Sequence, residues 1–336
     1  MVDAFGGGYR NTRHPTGDTI RTVTASETNP VDPGPAQPSR GRRGLVVAVA
    51  AVVLAAVIAG HRLIPNVAGL GSMIDSGAPF LGLGIPVLAL AALLRRSRLA
   101  LLAVLLPTLV WAGLFGTAWL PTGGGGTVAL RVASQNLRVG NPDPAATVSA
   151  LATTEPDLIG LQEVGDDIRG SAALRDRYPY QATESTIALW SRFPMREHVG
   201  VDTGLGWNRA LRAVVETPQG DVVVYVVHLG SARAGDTATR DRTVGMLAAT
   251  LRRESAERLI VLGDFNTAST DRAITPLTDL LADAQADAGR GLGFTWPAAM
   301  PVTRPDHVLY RGLTAASAGV VRTPASDHRA VTAGFR

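Results

Sequence analysis

Asp264 and Asn266 stand two positions apart at the end of an apolar run, Leu259-Ile260-Val261-Leu262-Gly263-Asp264-Phe265-Asn266. Four apolar residues followed by Gly-Asp read as a buried strand that stops at a turn. A carboxylate and a carboxamide so placed project roughly the same way from a rigid support and could position a water or a phosphate. The same residues also make an ordinary Asx-type turn. Other runs end in polar residues too: Asn136 in Ser134-Gln135-Asn136-Leu137, Glu163 in Gly160-Leu161-Gln162-Glu163-Val164, and His228 in Val226-Val227-His228-Leu229. Asp306 opens Asp306-His307-Val308-Leu309, and Ser326-Asp327-His328 lies near the C-terminus. Read singly, Glu163 is equally a solvated turn residue, and His228 and His307 are satisfied core histidines. As a set they could hold a hard cation, orient a water and protonate a leaving oxygen, the three needs of phosphoester hydrolysis.

In this order and spacing the motifs resemble the endonuclease/exonuclease/phosphatase superfamily. That metal-dependent phosphoesterase fold is shared by pancreatic-type DNases, abasic-site endonucleases, inositol-polyphosphate 5-phosphatases and neutral sphingomyelinases. The resemblance covers about Thr127 to Arg336 and implies a four-layer α/β sandwich with its catalytic loops gathered at one end. It implies that Glu163 binds Mg²⁺ or Mn²⁺, with Asn136 and Asp327 beside it. It makes Asp264 the residue that orients or deprotonates the water, and Asn266 the one that holds that carboxylate and the phosphate. His228 and His328 would face the phosphate, with Asp306 paired to His328 and raising its pKa. Asn208, Arg209 and Arg212 fall where relatives place phosphate-facing polar residues. Trp296, in Phe294-Thr295-Trp296-Pro297, falls where they place an aromatic beside the leaving group, although core packing would serve it equally. Ala188-Leu189-Trp190-Ser191-Arg192-Phe193-Pro194 looks like a strand-and-turn segment of the family.

The elements that must position these residues begin well after the N-terminus. The chain has 336 residues, 46% hydrophobic, which is high for a wholly soluble protein and directs attention to a membrane part. Cysteine is absent, so disulfides, thiolate ligands and thiol nucleophiles are excluded. Net charge is +4, but residues 127–336 carry 22 Arg against 23 acidic residues, so the basic excess lies upstream. There is no lysine.

Residues 1–43, rich in Gly, Pro, Thr, Asp and Arg, read as a disordered cytoplasmic tail. Three uncharged apolar runs follow, at about 44–60, 77–94 and 99–120, and read as transmembrane helices, the first an uncleaved anchor. Pro79, Pro86 and Pro107 are tolerated in such helices. Arg40, Arg42 and Arg43 precede the first run, and Arg95, Arg96 and Arg98 join the second to the third. The 61–76 loop holds only His61 and Arg62 against Asp75. The positive-inside rule then puts the tail and the triple-Arg loop in the cytoplasm and everything after Leu120 outside. Residues 121–126, ending in four glycines, read as a flexible linker that keeps the catalytic domain, 127–336, at the membrane surface.

Beyond the linker, strands are expected over 127–136, 157–162, 186–191, 210–216, 221–229, 258–263, 306–311 and 328–335. Helices are expected over 144–153, with Asp143 as cap and Pro144 at the first position, and over 236–254. The fold class is thus α/β, a sandwich behind a three-helix transmembrane region, with the chemistry expected to be complete within 127–336. The tether favours a lipid-linked or cell-envelope phosphate, and the architecture resembles bacterial VanJ-type teicoplanin-resistance proteins, which implies a polyprenyl pyrophosphate. A surface endo- or exonuclease is the alternative, disfavoured by the neutral domain. A non-catalytic envelope scaffold is a third reading, and a pure binder would have no need of Asp264. No obligate protein partner is evident.

Overall fold

The structure is a computed structural model and describes residues 40–120, 125–169, 172–233 and 235–336. The N-terminal tail to residue 39 and linker residues 121–124 lie outside the described residues. The first helix, α1 (Arg40–Gly60), already includes the last four residues assigned above to the tail. It is followed by α2 (Leu70–Gly77), α3 (Gly84–Leu94) and α4 (Arg98–Phe115). Among the described residues three segments are long and apolar enough to cross a membrane: Gly44–Leu63, Val67–Leu94 and Arg98–Trp119. Large apolar side chains such as Val46, Val53, Leu90, Leu94, Leu102 and Leu109 point away from the protein. Such a continuous apolar exterior suits a lipid surround.

Among the described residues twelve strands build two sheets. In the first, β1 (Leu130–Asn136), β2 (Leu158–Gln162), β3 (Tyr180–Glu184) and β4 (Ile187–Ser191) join β11 (Ala315–Val321) and β12 (Ala330–Phe335) in the order β11-β12-β1-β2-β4-β3. In the second, β5 (Met195–Asp202), β6 (Asn208–Thr217), β7 (Gly220–His228) and β8 (Leu259–Asp264) join β9 (Ala282–Asp283) and β10 (Asp306–Arg311) in the order β5-β6-β7-β8-β10-β9. Their inner faces meet through Leu158, Leu189, Val224, Val226, Ile260 and Leu262. At Gly160 the sheets touch so closely that a Cβ would lie 2.1 Å from Leu262 Cδ1.

Helices cover both outer faces. Val148 and Leu151 of α5 (Pro144–Ala152) pack on the first sheet, together with Ile168 of the single turn α6 (Asp166–Arg169) and Leu174 of a second turn, α7 (Ala172–Arg175). Val244, Leu247 and Leu251 of α8 (Ala238–Arg253) and Leu277 of α9 (Thr275–Thr278) pack on the second. A short α10 (Ala284–Ala288) adds Ala284 between the sheets. Strand β8 is buried on both faces, which is why it reads as an unbroken apolar run. Asp143 caps α5, its side chain accepting from Ala146 N at 2.9 Å.

The segment 61–77, which follows the first apolar run of the sequence and leads into the second, is not the open loop its composition suggests. It forms two 3₁₀ turns and α2, and it packs on the sandwich. Residue 125 is likewise tied down: Gly125 N donates to Ala316 O at 3.0 Å, and Arg336 donates to Gly125 O.

Candidate active site

Strands β7 and β8 are parallel, β8 and β10 antiparallel, and their registers put His228 beside Asp264 and Asp264 beside Asp306. Three chemistry-bearing residues thus form one row across three hydrogen-bonded strands. The first sheet supplies the facing wall: Asn136 ends β1, Glu163 follows β2, and His328 precedes β12.

Asp264 is buried at the centre of the cluster. Its Oδ1 accepts from Asn266 N at 2.8 Å, and Asn266, at φ 49°, donates through Nδ2 to Leu229 O at 2.9 Å. The Asx turn and the functional placement are therefore one structure, because the turn fixes the carboxylate. The other oxygen, Oδ2, accepts from Asn136 Nδ2 at 2.9 Å and lies 3.7 Å from His228 Nε2 and 3.9 Å from His328 Nε2. Burial raises the Asp264 pKa and the Asp306 charge adds to it, while the two histidines and Asn136 oppose the rise. Gly263, at φ 145°, is required by its neighbour strand: a Cβ would sit 2.0 Å from Val227 O.

The two histidines are held in opposite states. Burial lowers the His228 pKa to about 4 despite the pull of Asp264, so the ring is neutral at pH 7, and its Nδ1 has no hydrogen-bond partner. Burial also opposes charge on His328, but Asp306 overrides it through a 2.9 Å bond to Nδ1, and the pKa rises to about 10. Asp306 Oδ2 also accepts from Thr295 Oγ1 at 2.6 Å, while its buried Oδ1 is unpaired.

Glu163, at φ 56°, accepts from Asn136 Nδ2 at 3.1 Å and from the Val139 amide, and its Oε1 lies 3.6 Å from His228 Nε2. A carboxylate and a carboxamide side by side, with no cysteine in the chain, suit a hard divalent cation. A second group, Asp264, Asp306 and His328, has potential ligand atoms within 4.8 Å of one another. Within this trio His328 Nδ1 is bonded to Asp306 Oδ2, which leaves its Nε2 facing Asp264. Asp327 makes no hydrogen bond to Glu163 or Asn136 among the described residues; its charge acts on His328 and its carbonyl accepts from Ala298 N at 2.7 Å.

A cavity of about 590 Å³ opens over Glu163 and His228. Its wall includes Arg209, whose guanidinium lies 4.8 Å from the Trp207 ring centre and whose Nε is unpartnered. Of the three candidates, Arg209 is the one that lines the cavity among the described residues, and the other two turn elsewhere. Asn208 donates to Glu184 at 3.1 Å. Arg212 faces the outer side of its sheet and pairs with Glu254 at 2.7 Å, holding that carboxyl down at about 2. Trp296 is 42% exposed and does not line this cavity. His307 is buried, bonding Thr267 O at 2.8 Å and meeting the Phe265 ring edge-on.

Three residues come into view only here. Gln135 is fully buried and donates to Asn136 O at 2.6 Å and His328 O at 3.2 Å, tying the end of β1 to the segment that enters β12 within the first-sheet wall. Thr295 and Trp207 are the others. Their only sequence signal was position, one residue from Asn136, Trp296 and Asn208 respectively.

Two sheets back to back, helices outside and acid–base residues collected at one edge define a four-layer phosphoesterase-type fold. Solved structures of the same fold include TDP2 from D. rerio complexed with a single-strand DNA product, 18% identical, TM-score 0.53, covering 62% of this chain and 98% of that one. The 3′ phosphatase NExo from Neisseria, bound to a product DNA hairpin, is 20% identical, TM-score 0.51, covering 62% and 100%. A mannosyl-6-phosphatase from Bacteroides thetaiotaomicron is 17% identical, TM-score 0.52, covering 62% and 99%. Among curated proteins no sequence matches. The Endonuclease/Exonuclease/phosphatase family profile matches residues 133–328, more than half of the sequence, and the chain belongs to that family.

Proposed function

We propose that this protein is a membrane-anchored, divalent-cation-dependent hydrolase of a lipid-linked or cell-envelope phosphate or pyrophosphate, with its active site outside the cytoplasm. The observation that carries the hydrolase reading is the row His228–Asp264–Asp306 facing Asn136, Glu163 and His328. Glu163 and Asn136 would hold Mg²⁺ or Mn²⁺, which when bound supplies positive charge for the phosphoryl oxygens. Asp264, fixed by its turn, orients the attacking water and takes its proton. His328, protonated by its partnership with Asp306, donates to the developing oxyanion. Neutral His228 and the unpaired Arg209 face the phosphoryl group.

The lipid reading is supported by where the catalytic edge lies. The loops at that edge of the second sheet meet the ends of the apolar helices: Arg62 donates to Thr270 O at 3.1 Å, Gly291 N to Ala118 O at 2.6 Å, and Phe80 stacks on Phe294 at 5.6 Å. The extracytoplasmic placement is supported by the arginines flanking the opposite ends of these helices. A surface nuclease is the second reading, favoured by the half-exposed Trp207 at the cavity, which could stack a base.

The deciding experiment incubates the full-length protein in lipid nanodiscs and Mg²⁺ with polyprenyl pyrophosphate and, separately, with plasmid DNA. Phosphate release from the lipid that stops in excess EDTA is expected. Efficient DNA cleavage without lipid hydrolysis would overturn the lipid reading, and turnover unaffected by EDTA would overturn the cation requirement.

A further inference from the structure

Asp75 is a fully buried acid in α2, nearly two hundred residues from the partner that neutralises it. Arg272 grips it with Nε at 2.5 Å and Nη2 at 3.0 Å, while His61 Nδ1 lies 2.7 Å from its other side. The same guanidinium donates to Ile64 O at 2.6 Å and His61 O at 3.0 Å, closing the whole segment around itself. Beside it, Ser72 Oγ donates to Asp271, and buried Arg240 donates to Ser72 Oγ at 2.6 Å and to Asp271 at 2.9 Å.

The partners lie on the two loops that leave the catalytic strands. Arg272 and Asp271 end the loop that begins at Asp264–Asn266, where Asp271 N donates to Ala268 O at 3.0 Å. Arg240 sits in the first turn of α8, which closes the loop leaving His228. One turn later Thr243 Oγ1 accepts from Gly230 N at 3.0 Å, and Leu229 N donates to Asp264 O at 2.9 Å. Ser231, in that loop, lines the active-site cavity. Asn66 adds a 3.3 Å bond to Thr237.

We propose that the segment His61–Gly77 is a positioning element of the active site: Asp75 and Ser72, gripped by Arg272, Asp271 and Arg240, hold the loops that carry His228 and Asp264. The membrane region and the sandwich are then one working unit, and the anchor is not interchangeable. The inference rests on the phosphoesterase reading of the site but not on the lipid substrate. Its test therefore uses a small water-soluble probe, bis(p-nitrophenyl) phosphate, with the full-length protein in nanodiscs.

Asp75→Asn should lower kcat about tenfold or more with KM within about twofold, since a displaced catalytic group costs rate more than affinity. Asp75→Glu should restore part of the loss. Hydrogen exchange should rise in 229–237 and 266–272 and stay unchanged in β1 and β2. Unchanged kcat in folded Asp75→Asn, or exchange that rises everywhere alike, would overturn the proposal. If Asp75→Asn does not fold, Ser72→Ala carries the same comparison with a smaller expected loss, about threefold. Should the wild type hydrolyse nothing, the phosphoesterase reading fails, and the loop-selective exchange still decides whether the clamp exists.

Discussion

Two buried clusters of charge lie within the same sandwich edge, and they are built on opposite principles. At the junction with the apolar helices, Asp75, Arg272, Asp271, Arg240 and Ser72 satisfy one another, with each guanidinium donating to two or more oxygens. At the catalytic edge, Glu163, Asp264 and Asp306 gather around His228 and His328, and Asp306 holds His328 protonated. His228 Nδ1, Asp306 Oδ1 and Arg209 Nε are left without partners. Buried polar groups are normally paired, so unpaired atoms gathered in one cluster mark it as a candidate site for a partner from outside. The saturated cluster holds shape, whereas the unsaturated one is where we propose that a cation and a phosphoryl group bind.

The sharpest way to break this contrast is Asp264→Asn. The change keeps the shape and the bond to Asn266 N but removes the base, and turnover should fall by about 10² to 10⁴-fold while the melting temperature is kept. A residual rate above about a tenth of wild type would mean that Asp264 has been given the wrong role. In the saturated cluster the order of effects reverses. Asp75→Ala strands Arg272 and should cost about 3 kcal/mol of stability in detergent unfolding, the low end for a buried pair because Arg272 is partly exposed.

A smaller effect is expected from pH. His328 is raised above its free value, so its contribution to stability is complete below about 6.5 and disappears as pH rises through about 10. His228 is depressed, so stability falls as pH drops from about 6.5 through about 4, where burial of the charged ring is resisted. Between those limits neither ring changes state, and the rate profile should lack an inflection near 6.5. Asp306→Asn should move the alkaline limb toward neutrality; a limb that stays in place would separate it from His328.

The mildest comparison is between two arginines of one strand. Arg209→Ala should raise KM several-fold for a phosphodiester, because its guanidinium is free to meet the phosphate. Arg212→Ala should leave KM unchanged, because its charge is spent on Glu254 across the outer face. Equal effects from the two would remove Arg209 from the site.

The sequence by itself determined the central strands and the residues that end them. Strands buried on both faces, such as β7 and β8, must be continuous apolar runs, and a polar residue that stops such a run is conspicuous. Strands β3, β5, β9 and β11 went unread because they lie toward sheet edges and carry exposed, charged or small residues, as in Met195–Asp202. Asp143 and Pro144 act locally, so their roles were legible in place. What only the tertiary structure decided is partnership. Residue order did not reveal that Asp264 has His228 on one side and Asp306 on the other, nor that of Asn208, Arg209 and Arg212 the middle one faces the cavity. Asp75 is the extreme case: alone between two apolar runs it looks like a solvated loop acid. Its neutralising arginine comes from the far end of the chain, and an ion pair formed only by folding leaves no periodicity, cap or spacing to find beforehand.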